Sequence, residues 1–176
     1  MCMNYNLSLE DAIEMSKRLA GKVAEQFSPK LIVGILSGGF LPAVEIAKIF
    51  GVPVEFIRLN RYYEDVVVLT HPLEMDLRGL DVLLVDDIYE YGRTMKMAKQ
   101  HLQDKNPQNI KVAVLRYAGV FDKDPNAPDF FELHPAAALF PWRAPDHIAF
   151  PDYKAYLIEA SKVTELGAVV RLHLSI

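Results

Sequence analysis

The chain has 176 residues, 51% hydrophobic and 24% charged, enough apolar material for one sizeable core and too much for extended disorder. A formal charge of -4 with no Lys/Arg-rich block argues against nucleic acid or a membrane surface as partner, since both call for concentrated positive charge. Cys2, the single cysteine, permits no intrachain disulfide and no cysteine-based metal site. No run nears the roughly twenty apolar residues of a membrane span, and Met1 to Asn6 lack a charged segment leading into an apolar one, so a cytoplasmic setting is expected.

In chain order, Ser8 is placed to cap a helix, with Asp11 three residues on. Leu9, Ala12, Ile13, Ser16, Leu19, Ala20, Val23 and Phe27 mark one face at helical spacing before Pro29. Leu31 to Leu36 reads as a buried strand, Ser37-Gly38-Gly39 as a tight loop, and Pro42 to Phe50 as a helix stopped by Gly51. Pro53 to Leu59 is a second strand, Val66 to Thr70 a strand or hairpin arm, and Asp81 to Val85 a third buried strand. Arg93 to Gln103 follows as a helix and Ile110 to Leu115 as a further strand. Apolar runs without strict alternation, separated by helices, predict an α/β fold with a mostly parallel sheet flanked by helices. Between Asp122 and Pro151 prolines, aspartates and aromatics predict an irregular Pro-rich lobe with a short strand at Ala136 to Phe140. Residues 1–176 are expected to form one domain, with a C-terminal extension at about 152–176 made of a helix from Tyr153 to Leu166 and a strand carrying Val170, Leu172 and Leu174.

The chemistry concentrates in Val82-Leu83-Leu84-Val85-Asp86-Asp87-Ile88-Tyr89-Glu90-Tyr91-Gly92-Arg93-Thr94. Four apolar residues followed by two aspartates put a carboxylate pair at the end of a buried strand, where ligands of open α/β sheets bind. Alone, such a pair also fits one aspartate capping a turn and the other in solvent. Here it runs into Glu90 to Thr94 and a helix. Gly92 allows close backbone approach, the helix-start amides point outward, Thr94 adds a hydroxyl and Arg93 a charge, which together suit a phosphate.

This run resembles the signature of the type I phosphoribosyltransferases: an apolar strand, two acids, a short spacer and a loop ending in Gly-x-Thr. Leu36-Ser37-Gly38-Gly39-Phe40-Leu41-Pro42-Ala43 is similar to the family's earlier pyrophosphate loop, and Phe140-Pro141-Trp142 to a segment near the base site of microbial 6-oxopurine members. The resemblance covers roughly Leu31 to Trp142. It implies transfer of a 5-phosphoribosyl group from phosphoribosyl pyrophosphate (PRPP) to a nucleobase, with a purine favoured. It places Asp86 and Asp87 at the ribose hydroxyls, and Glu90, Tyr91, Gly92, Arg93 and Thr94 around the 5-phosphate. Ser37, Gly38 and Gly39 would meet the pyrophosphate, and Glu90 would act as catalytic acid or base. Arg116, Tyr117, Phe140 and Trp142 are the base-site candidates, and Trp142 reads also as a packing residue. The resemblance further implies Mg2+ held mainly by substrate oxygens, with no direct protein metal ligand, and a homo-oligomer (dimer or tetramer); Tyr62-Tyr63-Glu64-Asp65 lies where relatives carry a mobile hood and reads equally as an ordinary hairpin turn.

Three positions depart from the family pattern. Ser37 stands where relatives often carry Arg or Lys, Glu90 where purine-specific members have Asp, and Tyr91 where a compact Thr is usual. These departures keep open a non-catalytic or regulatory module that binds PRPP or a nucleotide on the same fold. A phosphohydrolase with metal held directly by Asp86 and Asp87 would require further carboxylates near the strand ends.

Overall fold

The computed structural model describes residues 5–62, 66–118, 126–132 and 138–143. The C-terminal helix and strand expected beyond residue 152, and residues 63–65 of the expected hood, lie outside them.

After β1 (Tyr5–Asn6), α1 (Leu9–Ala24) starts at a capping box. The Ser8 hydroxyl accepts from the Asp11 N–H at 3.0 Å, and the Asp11 carboxylate accepts from the Ser8 N–H at 2.9 Å, so two donors without helical partners are satisfied reciprocally. The helix buries Ala12, Met15, Ser16, Leu19, Ala20 and Val23, and the buried Ser16 hydroxyl donates back to the Ala12 carbonyl at 2.7 Å.

The remaining elements are β2 (Leu31–Leu36), α2 (Phe40–Phe50), β3 (Val54–Tyr62), β4 (Val66–His71), β5 (Asp81–Tyr89), α3 (Arg93–Gln103), β6 (Asn109–Tyr117), β7 (Phe130–Phe131) and β8 (Ala138–Leu139). A 3-10 turn spans Pro141–Arg143. Helix α2 opens two residues before the expected Pro42. The proline falls in the first turn, where an N–H has no intrahelical acceptor, so nothing is lost by starting early. Strands β3, β5 and β6 also run past their expected ends, most consequentially β5: Asp86 and Asp87 lie inside the strand instead of just beyond it. Ile88 and Tyr89 continue the ladder by pairing with Arg116 and Tyr117 of β6.

Six strands form one sheet in the order β4-β3-β2-β5-β6-β7, parallel throughout except for β4, which returns antiparallel along β3 at the edge. A second, two-stranded sheet pairs β1 with β8, Tyr5 opposite Ala138 and Asn6 opposite Leu139, and so ties the N-terminal strand to the Pro-rich lobe. Helices α1 and α2 pack on one face of the large sheet with Ile32, Leu83, Val85, Ala113 and Leu115. Helix α3 covers the other face through Met95, Ala98 and Leu102 against Val33, Val82, Leu84, Val112 and Val114. Strand β5 is therefore covered on both sides, which explains its unbroken apolar run. Its alternation slips one step across the acids: Ile88 joins the α1/α2 layer and Tyr89 the α3 layer.

One histidine serves this packing. His101 on α3 accepts from the Leu73 N–H through Nε2 at 3.0 Å, a bond only the neutral ring can make. Partial burial first, and then the Lys105 charge, hold its pKa below the ordinary 6.5, against smaller opposing effects from Asp104 and Glu74. The unfolded chain thus takes up the proton first as pH falls. The contribution is complete above about pH 6.5 and is lost as pH drops from there through the lowered folded value. Urea denaturation between pH 5 and 8 is expected to show stability falling on the acid side. His101→Gln, which keeps an acceptor and cannot titrate, flattens that part of the slope; an unchanged slope removes His101 from the account.

Candidate active site

The order of the strands locates the site. From β2 the chain passes through α2 to β3 on one side, and from β5 through α3 to β6 on the other, with the two helices on opposite faces of the sheet. Adjacent parallel strands whose connections diverge in this way open a crevice at their C-terminal ends. Here β2 and β5 are paired from Leu31 opposite Val82 to Gly34 opposite Val85, so the loops that follow them meet across that crevice.

The loop after β2 is built around two glycines. Gly39 donates to the Ile35 carbonyl at 2.7 Å, Phe40 to the Ser37 carbonyl at 3.2 Å and Ala43 to the Gly39 carbonyl at 3.0 Å, which turns the chain tightly into α2. The Leu36–Ser37 peptide is cis, and Ser37 is exposed at the tip. A Cβ on Gly38 would collide with the Asp87 carboxylate, and one on Gly39 with the Val85 carbonyl and the Ile35 backbone. The absence of side chains is what lets the loop backbone lie directly on the acid pair.

The acids are 8% (Asp86) and 0% (Asp87) exposed. Asp86 Oδ1 accepts from the Asp87 N–H at 2.8 Å, and Asp87 Oδ2 from the Trp142 indole Nε1–H at 2.7 Å. The Asp86 bond lies within the strand and is not the cap of a turn, and neither acid is turned to solvent. Burying an ionised carboxylate costs several kcal/mol even after relaxation. The wholly buried Val82, Leu83, Leu84 and Val85 each contribute roughly 1.5–3 kcal/mol, enough to carry that cost but not to be helped by it. Two acids at this depth cost the strand desolvation that two apolar residues would not.

Beyond β5, Glu90 is exposed and Tyr91 is 59% exposed. Gly92, at φ 70°, takes the left-handed conformation at the N-cap of α3, a backbone state that glycine adopts without steric cost. With no N-cap side chain folded over them, the amides at the start of the helix face the loop. Arg93 is exposed, Thr94 half-buried, and Met95 anchors the turn in the core. Arg116 is half-buried near the end of β6.

The other base-site candidates separate. Tyr117 sits edge-on to Tyr89 with ring centroids 5.6 Å apart and tilted on Phe131 at 5.0 Å, against the α3-side core. Phe140 is 1% exposed and backs the half-buried Trp142, the two rings stacked at 5.0 Å and 7° from parallel. Sequence reasoning missed the bond between Trp142 and Asp87. The two are 55 residues apart, and only the Phe-Pro-Trp run hinted at a role for the lobe.

Among the described residues no three His, Cys, Asp or Glu converge as a metal cluster, and no helix is long and apolar enough to cross a membrane. Two adjacent carboxylates without a third suit a cation that brings most of its oxygen ligands with its substrate.

The chain is similar to several known proteins. The chain is 33% identical over 118 residues to a hypoxanthine-guanine phosphoribosyltransferase of Aquifex aeolicus, covering 61% of this chain and 66% of that protein. It is 27% identical over 110 residues to a hypoxanthine phosphoribosyltransferase of Salmonella typhimurium, covering 58% and 61%. It thus spans just under two thirds of the length of these curated relatives. Among solved structures, the purine phosphoribosyltransferase of Pyrococcus horikoshii superposes with a TM-score of 0.70 at 26% identity, over 79% of this chain and 93% of that one. A Neisseria gonorrhoeae protein solved with bound ppGpp shares the fold at a TM-score of 0.69 and 22% identity, over 94% and 98%. Residues 7–146 match the phosphoribosyl transferase domain, and the chain belongs to that family.

Proposed function

We propose that this protein transfers the 5-phosphoribosyl group of PRPP to a nucleobase, with a purine as the favoured acceptor, and releases pyrophosphate. The observation that carries this reading is the closeness of Gly38 to Asp87 at the β2/β5 crevice, where a Cβ on Gly38 would collide with the carboxylate, so the glycine loop and the acids come to one place. Asp86 and Asp87 accept hydrogen bonds from the ribose hydroxyls. The loop of Glu90, Tyr91, Gly92, Arg93 and Thr94 holds the 5-phosphate with its amides, the Thr94 hydroxyl and the Arg93 charge. Ser37, Gly38 and Gly39 face the pyrophosphate, Ser37 as a hydrogen-bonding group in place of a cation. A nitrogen of the base attacks C1 of the ribose, the bond from C1 to the pyrophosphate oxygen breaks, and its electron pair leaves with pyrophosphate. Glu90, exposed just past the end of β5, takes the proton that the base loses. Bound Mg2+ supplies charge stabilisation on the leaving pyrophosphate. Arg116 and Trp142 border the side on which the base enters. The names of the relatives favour hypoxanthine and guanine as acceptors. We further propose a homo-oligomer.

Pyrophosphate release from PRPP and Mg2+, followed with a panel of nucleobases, tests this function. Release that depends on a purine is the expected result. PRPP binding without release from any base would leave a binding module, the outcome that Ser37, Glu90 and Tyr91 would then explain. Phosphate release from a simple ester without a base would point instead to hydrolysis. In the same assay Glu90→Gln is expected to lower kcat about a hundredfold, within the usual range for loss of a general base; an undiminished kcat removes Glu90 from the proton transfer.

A further inference from the structure

The loop that faces the pyrophosphate in the reading above brings no positive charge of its own. Ser37, Gly38, Gly39, Phe40 and Leu41 include neither Lys nor Arg. Pyrophosphate carries several negative charges, so a cation within reach of that loop bears directly on how tightly it is held. The register of the sheet provides one. Strands β2 and β3 run parallel with Gly34 opposite Phe56, Ile35 opposite Ile57 and Leu36 opposite Arg58, so Arg58 is level with the last residue before the loop. Neighbouring strands lie about 4.8 Å apart, a gap that an arginine side chain spans. Arg58 also leaves the sheet on the right face. A Cβ on Gly34 would meet the Phe56 ring and the Ala43 methyl of α2, and Phe56 stacks on Phe40, the first residue of α2, with centroids 5.1 Å apart. Arg58 follows Phe56 by two residues, the spacing that returns a strand side chain to the same face, and the irregularity of β3 against β4 begins only after it. Its partner in register, Leu36, packs with the α1/α2 layer. The guanidinium therefore emerges on the side where the loop turns into α2.

We infer that Arg58 is the cation of the pyrophosphate subsite and so determines the preference for a ligand that carries pyrophosphate over one that carries the 5-phosphate alone. The inference rests on the PRPP reading given above and adds to it a residue from a strand outside both loops. Arg58 is exposed, and among the described residues its guanidinium enters no ion pair or hydrogen bond; its carbonyl alone is engaged, accepting from the Thr70 hydroxyl at 3.4 Å. The charge supports neither the core nor a neighbouring acid, and a guanidinium presents paired donors suited to phosphate oxygens. The sheet order β3-β2-β5 sets Arg58 on the opposite side of the β2 loop from the loop after β5, two strand spacings or roughly 10 Å away. Its effect therefore falls on the pyrophosphate and not on the 5-phosphate.

Calorimetric titration of PRPP, pyrophosphate and ribose 5-phosphate, each with Mg2+, into the wild type, Arg58→Gln and Arg58→Lys separates the outcomes. Arg58→Gln is expected to weaken PRPP and pyrophosphate about tenfold each, the scale of one charge-assisted hydrogen bond, with the Kd for ribose 5-phosphate changed less than twofold. Arg58→Lys keeps the charge without the planar fork and is expected to recover most of the loss. Arg58→Gln that binds PRPP as wild type does, or that loses ribose 5-phosphate as much as PRPP, overturns the inference and leaves the PRPP reading standing. Wild-type protein that binds no PRPP overturns the reading and the inference together. Circular dichroism of both variants confirms that they are folded, and the ribose 5-phosphate titration shows that the rest of the site is intact.

Discussion

Asp86→Asn is expected to weaken PRPP binding by roughly ten- to hundredfold while leaving the melting temperature unchanged or raised. The two effects have opposite signs for one physical reason. Asparagine keeps an oxygen to accept the Asp87 N–H, a bond now 2.8 Å long, so the local backbone geometry survives. The substitution removes a charge from a site 8% exposed, and with it a desolvation cost borne by the folded state alone. What is lost is the charged acceptor for a ribose hydroxyl, worth about 1.5–3 kcal/mol when the acceptor is ionised. Calorimetric titration of PRPP with Mg2+ and thermal denaturation of the same preparation provide both readings. A variant that binds PRPP as wild type does, or one that loses several degrees of stability, would show Asp86 to be a structural residue.

Gly39→Ala is expected to cost about 3 kcal/mol of stability and to lower the melting temperature by roughly 6–12 °C for a chain of this size. The new methyl would overlap the Val85 carbonyl and come within 2.8 Å of the Ile35 nitrogen and oxygen, all of them backbone atoms in paired central strands. Nothing there can rotate away, so either the loop or the β2/β5 pair must move. Two other glycines provide contrasts. Gly38→Ala meets the side chain of Asp87 instead of backbone, so its main effect falls on PRPP binding. Gly21 lies within α1 with nothing within 4 Å of an added Cβ, and Gly21→Ala is expected to stabilise by about 0.5–1 kcal/mol through helix propensity alone. If all three alanines had similar effects on the melting temperature, close approach of the backbone at the loop would not be what the glycines provide.

What could be read from the residues followed the strength of the local chemistry. Ser8 and Asp11 announced the start of α1 because a capping box is made within four residues. Arg93 to Gln103 came out at its observed bounds because Gly92 marks the start of the helix and Met95, Ala98 and Leu102 keep a single buried face. The end of β5 was misjudged for a reason equally local. Paired aspartates are poor strand formers and read as the beginning of a loop, whereas the ladder to β6 carries them inside the strand on the strength of pairing that only the fold provides. Tyr117 illustrates the same limit. Its packing with Tyr89 and Phe131 depends on the slip in alternation past the acids, which no pattern of spacing reveals. The acid pair and its two loops were legible as motifs. That Trp142 reaches across from the Pro-rich lobe to Asp87 was not, since the bond joins residues 55 apart that only the tertiary fold brings together.

Calorimetric titration of PRPP and Mg2+ into the wild-type protein and into an Asp86→Asn, Asp87→Asn double variant puts the 5-phosphoribosyl site to its most direct test. Saturable binding with one PRPP per chain in the wild type, and a Kd raised at least a hundredfold in a double variant that still unfolds cooperatively, is the predicted result. Absence of binding to the wild type, or binding of equal strength by the double variant, would contradict the assignment of this crevice to the phosphoribosyl group.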